Sequence, residues 1–315
     1  MTPDTACQVL VDEFRSRPTL RAGSLITTVF GDSIAPRGGT VWLGSLIGAM
    51  AEFGISERLV RTSVFRLAKD GWLQSVQVGR RSYYSLTNDG REKFAVATHR
   101  IYGEPVGDWD GEWCLMLLSN LDAPVKEIVR RECAWLGFGA LSANVLAHPG
   151  PDISDLDTML RRLGVIDDVV IMTGRTFKSD GAMRKLARSA WNLDDIDARY
   201  EQFVTMFRPL IAALGKSGGV APRTAFVTRT LLIQEYRKVL LRDPQLPVEL
   251  LPADWHGIRA YQLCRNLYRG LYARADEYLT EAMETADGPL PPPVGSYLLR
   301  FGGLIDDARV EMKSA

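Results

Sequence analysis

The stretch Ser56-Glu57-Arg58-Leu59-Val60-Arg61-Thr62-Ser63-Val64-Phe65-Arg66-Leu67-Ala68-Lys69-Asp70-Gly71-Trp72-Leu73, continued by Gly79-Arg80-Arg81-Ser82-Tyr83-Tyr84-Ser85-Leu86-Thr87, decides how this chain is read. Ser56 is a good N-cap residue, since its hydroxyl can accept from free N–H groups of a first helical turn. Val60, Val64 and Leu67 recur at i, i+4 and i+7, one buried helical face. Arg58, Arg61, Thr62 and Arg66 lie mostly off that face, placed to reach phosphates and base edges in a major groove. Arg66 is also spaced to pair with Asp70 at i+4. Gly71 suits the left-handed residue that follows a helix. Two strands follow, Trp72 to Val78 and Ser82 to Leu86, with Gly79-Arg80 at their turn. Arg80 and Arg81 then stand at the hairpin tip, where phosphate is within reach. Tyr83 and Tyr84 alternate, so one faces the core and one the outside, with register deciding which. Tyr83 is the expected contact.

Charge is distributed to match. Net charge over the whole chain is zero, but residues 21–103 carry eleven Lys/Arg against six Asp/Glu. Residues 104–175 carry six against twelve. A basic first module beside an acidic second one suits a protein that meets a polyanion through the first alone. Apolar runs are too short to span a membrane, and the first residues lack the basic and apolar segments of a signal peptide. Cys7, Cys114, Cys133 and Cys264 form no CxxC pair, and with His99, His148 and His256 they give no zinc spacing. Reduced thiols in a cytoplasmic protein are expected, with no cofactor.

Working outward, residues 1–20 read as a short arm, helical over Ala6–Phe14. Ser24–Ile34 reads as a first helix, Val41–Leu43 as a small strand, and Leu43–Phe53 as a second helix. Thr87 caps a helix from Asn88 to about Ile101. Gly103–Asp108 is a Gly/Pro linker and the expected hinge. Beyond it come strands at Trp113–Leu118, Ala140–Ala147 and Val169–Met172, alternating with helices at Ala123–Leu136 and Ser154–Leu163, the latter capped by Ser154. Asp122 is placed to cap the former. The order β-α-β-α-β, with room for a fourth edge strand, suggests a ferredoxin-like module. From Asp180 the chain is helical, interrupted by the connector Asp243–Pro252. The fold class is therefore α+β: an arm at 1–20, a winged helix-turn-helix at 21–103, a ferredoxin-like module at 104–178 and a helical domain at 179–315.

The pieces Gly23-Ser24-Leu25-Ile26, Phe30-Gly31-Asp32, Pro36-Arg37-Gly38-Gly39, Val41–Leu46 and Arg58–Thr87 resemble the winged helix of the PaaX family of bacterial transcriptional repressors. Glu235-Tyr236-Arg237, Arg242–Pro247, Leu250-Leu251-Pro252 and Asp254-Trp255-His256-Gly257 resemble that family's C-terminal signature. Val60-Arg61 with Leu67 and Asp70-Gly71 is also similar to a GntR-type recognition helix. The PaaX resemblance implies a homodimer on a palindromic double-stranded DNA operator, repressing aromatic-acid catabolism and released by phenylacetyl-coenzyme A. It also implies a middle module like that of Cas2. An acyl-CoA effector needs cations for its phosphates and an apolar slot for its acyl group. Arg237, Arg242 and Trp255, with Arg184 and Lys185, are the candidates, in a site between the ferredoxin-like module and the C-terminal helices. Two alternatives stand beside this reading: a Cas2-like metal-dependent nuclease using Asp122, and a same-fold regulator answering to another ligand.

Overall fold

The computed structural model describes residues 2–16, 22–104, 109–150, 153–176, 180–215 and 219–304. It is a mixed helix and sheet fold whose chain groups into two compact units. The first holds residues 1–104, 202–241 and 259–315; the second holds 105–201 and 242–258. Residues 105–108, most of the expected hinge, lie outside the described residues.

In the first unit the N-terminal segment is more than an arm. Helix α1 (Pro3–Arg15) is capped by Thr2, whose hydroxyl accepts from the Thr5 amide at 3.2 Å. It buries Cys7, Leu10, Val11 and Phe14, one stripe at helical spacing. Helix α2 (Ala22–Val29) passes into a π turn at Phe30–Ile34 and a 3-10 turn at Ala35–Arg37. Gly38 and Gly39, at φ +85° and +72°, then turn the chain into β1 (Thr40–Trp42). After α3 (Leu43–Ala51) and α4 (Glu57–Lys69) come β2 (Leu73–Val78) and β3 (Arg81–Leu86). The three strands form an antiparallel sheet in the order β1-β3-β2. Helix α5 (Asn88–Tyr102) starts at the expected cap: Thr87 Oγ1 accepts from the Gly90 amide at 2.9 Å.

The second unit is built on β4 (Glu112–Leu117), α6 (Ala123–Trp135), β5 (Gly139–Ser142), β6 (Val145–His148), α7 (Ile153–Leu163) and β7 (Val170–Arg175). The strands are all antiparallel, in the order β5-β6-β4-β7. The single strand expected over Ala140–Ala147 is instead a hairpin, β5 and β6, turning at Ala143-Asn144. Ser142 and Asn144, whose amide donates to the Ser142 hydroxyl at 3.3 Å, were the local turn signal inside this run. Ser154 sits inside the first turn of α7 rather than capping it. Cys114, Met116, Val129, Cys133, Leu146, Leu156 and Leu160 make the core under the two helices.

The helices from residue 180 onward do not form one body. Helix α8 (Asp180–Ala190), the first residues of α9 (Leu193–Leu214) and the connector belong to the second unit. The rest of α9, α10 (Pro222–Leu240) and most of α11 (His256–Ala282) belong to the first. The reason is visible in α10, where every residue from Ala225 to Gln234 is buried. A helix buried on all sides is the centre of a core, not the face of a separate domain. Helix α1 packs against it.

A polar cluster lies inside this first core. Asp32, in the π turn, is fully buried. Its Oδ1 accepts from Tyr102 at 2.7 Å, Tyr268 at 2.9 Å and Arg300 Nη1 at 3.0 Å, and its Oδ2 lies 3.0 Å from Arg229 Nε. Arg229 also donates to Asp276 at 2.8 Å, Tyr297 at 2.9 Å and Ser33 at 2.9 Å. Arg37 reaches Asp276 at 3.0 Å and the Pro291 carbonyl at 3.0 Å. Burial alone would raise the Asp32 pKa, but Arg229, Arg300 and the two phenols together hold it below the ordinary carboxylate value. The π turn is what carries this carboxylate into the helical core, and bulges of that kind serve such placements.

Candidate nucleic-acid interface

Helix α4 presents two faces. Val60, Ser63 and Val64 are buried, with Leu67 half-buried beside them. Arg58, Arg61, Thr62, Phe65, Arg66 and Lys69 are exposed. The spacing of Arg58, Arg61, Thr62, Phe65 and Lys69 sets them in one row, since residues three and four apart are neighbours on a helix. Ser56 occupies the N-cap position without a side-chain capping bond, so its role there is backbone: its carbonyl accepts from Leu59 and Val60 at 3.0 Å each. At the other end Gly71 adopts φ +75°, its amide reaching the Ala68 carbonyl at 3.1 Å while Trp72 reaches Leu67 at 2.9 Å.

The pairing of the arginines differs from expectation. No ion pair joins Arg66 and Asp70. Arg61 instead lies against Glu57, with Nε at 2.8 Å and Nη2 at 2.7 Å from one carboxylate oxygen. Both side chains are more than half exposed, at 57% and 59%. Such a pair contributes only about 0.3–0.5 kcal/mol, so it does not withhold Arg61 from a phosphate or base. Thr62 Oγ1 donates to the Arg58 carbonyl at 2.9 Å. Arg58, Arg66 and Arg80 have no hydrogen-bonding or ionic partner among the described residues. Arg80 is exposed in the two-residue turn, which Gly79 closes at φ +60°.

Two expected contacts are corrected. Tyr83 is 7% exposed. It sits on the central strand, opposite Trp42 of β1 and Val76 of β2, and belongs to the core of the hairpin. Tyr84 is the more open of the two tyrosines. Arg81 stands beside the turn but is already engaged. It lies in β3 opposite Val78, its guanidinium 4.2 Å above the Trp42 ring and 2.8 Å from Glu284. It ties the turn end of the hairpin to β8 (Glu284–Thr285). Phe65 was missed: it is 69% exposed in the middle of the basic row. Its position, just off the Val60–Val64 stripe, was the available signal.

The effector candidates do not converge. Arg184 and Lys185 are exposed on α8, and Arg242 is exposed at the start of the connector. Trp255 is a core residue, 6% exposed, with its ring edge-on to Tyr200 at 5.7 Å. Tyr200 in turn donates to Asp243 at 2.7 Å. These belong to the second unit, whereas Arg237 belongs to the first. There Arg237 is committed to Ser24, donating to its carbonyl at 3.1 Å and its hydroxyl at 2.9 Å. Asp122 starts α6 without a side-chain capping bond. Among the described residues no three His, Cys, Asp or Glu side chains gather as a metal site. The four cysteines are buried and unpaired. No helix of the described residues is long and apolar enough to cross a membrane.

The comparisons with known proteins assign the chain to a family. Residues 21–90 match the PaaX-like protein family model, and residues 191–281 match the PaaX-like protein C-terminal domain. The chain is 41% identical over 284 residues to the transcriptional repressor PaaX of Escherichia coli (strain K12), covering 89% of this chain and 90% of that one. It belongs to the PaaX family, a regulatory family and not an enzyme family. Among solved structures, the uncharacterized protein Rv0674 from Mycobacterium tuberculosis is similar with a TM-score of 0.49 and 24% identity, over 74% of this chain and 89% of that one.

Proposed function

We propose that this repressor binds a palindromic double-stranded DNA operator as a homodimer, lays α4 in the major groove and holds the flanking backbone with the hairpin tip. The carrying observation is the exposed row on α4, where Arg58 and Arg66 have no partner among the described residues and Arg61 is held by a surface ion pair. The helix order α2-α3-α4 with the sheet order β1-β3-β2 supports a winged helix-turn-helix reading of residues 22–102. The run β4-α6-β5-β6-α7-β7 with sheet order β5-β6-β4-β7 supports a ferredoxin-like, Cas2-like reading of the middle segment. Arg58, Arg61, Thr62, Arg66 and Arg80 are the proposed DNA contacts. The regulated genes are those of aromatic-acid catabolism, and an aryl-acyl-CoA such as phenylacetyl-CoA releases the operator. The commitment of Arg237 and the burial of Trp255 favour other groups as the effector's partners. A same-fold regulator answering to a different ligand is the reading that observation keeps in play.

A gel-shift salt series tests the DNA part. Arg61→Ala is expected to cost about 1–3 kcal/mol on the operator and relax specificity at one base position. Arg80→Ala is expected to weaken operator and random DNA alike and lower the salt slope by about one charge. Unchanged binding in both folded variants removes α4 and the hairpin from the interface.

A further inference from the structure

The buried cluster of the first unit is unbalanced. Arg37, Arg229 and Arg300 are each 5% exposed or less, and the carboxylates they reach are those of Asp32 and Asp276. Three guanidiniums thus face two carboxylates among the described residues. The phenols do not supply the missing negative charge. Burial pushes Tyr102 and Tyr268 well above the ordinary phenol value and Tyr297 up to about 12. An excess charge in a low-dielectric interior is costly unless an anion completes it.

One of these arginines opens onto a cleft. The cleft holds about 480 Å³ and is bounded by the 3-10 turn after α2, the first turns of α5 and the segment 294–300. Arg300 lines it, with Nη1 donating to Asp32 and Tyr268 and Nη2 to the Gly31 carbonyl, and so does Arg91, exposed and without a partner among the described residues. Ala35, Pro36, Phe94 and Val294 supply apolar surface between them. Gly38 and Gly39 also line it, and a side chain at Gly39 would come within 3.8 Å of Arg91 Nη1. The Val294 amide donates to the Pro36 carbonyl at 2.8 Å, pinning one wall to another. A volume of this size lies in the range of small-molecule pockets, about 300 to 1,000 Å³.

We infer that this cleft is a binding site for a compact apolar carboxylate, its anionic end on Arg91 in the field of the buried Arg300 charge and its apolar body against Phe94, Pro36 and Val294. The site is poised to report on DNA. Helix α5 follows β3 directly, and Thr87 at its head donates to the Gly71 carbonyl at 2.6 Å, tying α5 to the end of α4. A ligand held by Arg91 and Phe94 grips α5 within its first two turns. It therefore bears on α4 and the hairpin if it prefers one arrangement of them over another. The assignment names a ligand beside the acyl-CoA of the proposed function and rests on that reading for the effect at DNA, though not for binding.

The test uses full-length protein, calorimetry and the rigid acid 2-naphthoate, with neutral 2-naphthamide as its control. Saturable binding of one naphthoate per chain is expected, with the amide at least about tenfold weaker for want of charge-assisted hydrogen bonds. Arg91→Ala, at an exposed position, is expected to cost the acid about tenfold, and Ala95→Trp, on the rim, to block it. No saturable binding by about 10 mM, equal binding of acid and amide, or unchanged binding in both variants overturns the site. DNA anisotropy in parallel separates the two readings. Naphthoate binding without any DNA binding sinks the repressor mechanism and keeps the cleft, whereas operator binding without naphthoate binding does the reverse.

Discussion

Replacing Asp32 by Asn removes one charge and almost no volume from the centre of the first unit. The carboxylate is fully buried and serves two guanidiniums and two phenols directly. Asn keeps an acceptor for one oxygen's partners but turns an amide toward the other set, leaving Arg229 and Arg300 short of a counter-charge. Removing one partner of a buried ion pair costs about 3–5 kcal/mol. Against a total stability of about 5–15 kcal/mol, that is a large fraction. Urea melts of wild type, Asp32→Asn, Arg229→Met and the double variant measure it. The single variants are expected to lose about 3–5 kcal/mol each, and the double less than the sum, because both changes remove the shared Asp32–Arg229 contact. The sign with pH follows from the lowered Asp32 pKa. This stabilisation is present at neutral pH and is lost as pH falls below the ordinary carboxylate value of 3.8 toward the lower folded one. Asp32→Asn should abolish that part of the acid dependence. A single variant within about 1 kcal/mol of wild type, or strictly additive losses, refutes the cluster as the organising contact of this core.

His148, on β6 with its ring 5.3 Å from Phe138, is pushed by burial from 6.5 down to about 4. The unfolded chain therefore takes up this proton first as pH falls. Wild type should lose about 3 kcal/mol between the two values that His148→Phe does not lose, as denaturant melts at both pH values will show. Burial likewise pushes the Cys7 thiol up to about 11 and Cys133 up to about 12, and all four cysteines are enclosed. Iodoacetamide at mildly alkaline pH should label none of them in native protein and all four in guanidinium, by intact mass; rapid native labelling of Cys7 or Cys133 contradicts the packing.

Helix α4 and its hairpin were legible because their signals are local: a 3.6-residue apolar stripe, a glycine stop and alternating strands. The roles of Arg81 and Tyr83 were not, because they are set by partners on other strands, Glu284 in particular lying 203 residues away. A two-residue count at the hairpin turn places Arg81 beside Arg80, yet pairing with Val78 draws it into the ladder. The β5–β6 reversal had only Ser142 and Asn144 to mark it, without the Gly or Pro that punctuates the other turns. Nor does sequence spacing announce a buried charge cluster assembled from Asp32, Arg229 and Arg300. Asp32 stood in a recognisable signature without its function being readable from it. The effector candidates were chosen for charge and aromaticity alone, and the fold spends Arg237 and Trp255 on structure.

The central claim is that the exposed row of α4 reads DNA in a two-fold assembly. Rounds of selection from a random duplex library by the full-length protein, run in parallel with the Arg58→Ala/Arg61→Ala variant, test it most directly. Wild type should enrich an inverted repeat with half-sites about 34 Å apart or a multiple of that, and the variant should fail to enrich it while remaining folded. No enriched sequence with wild type, or the same inverted repeat with both proteins, contradicts the account.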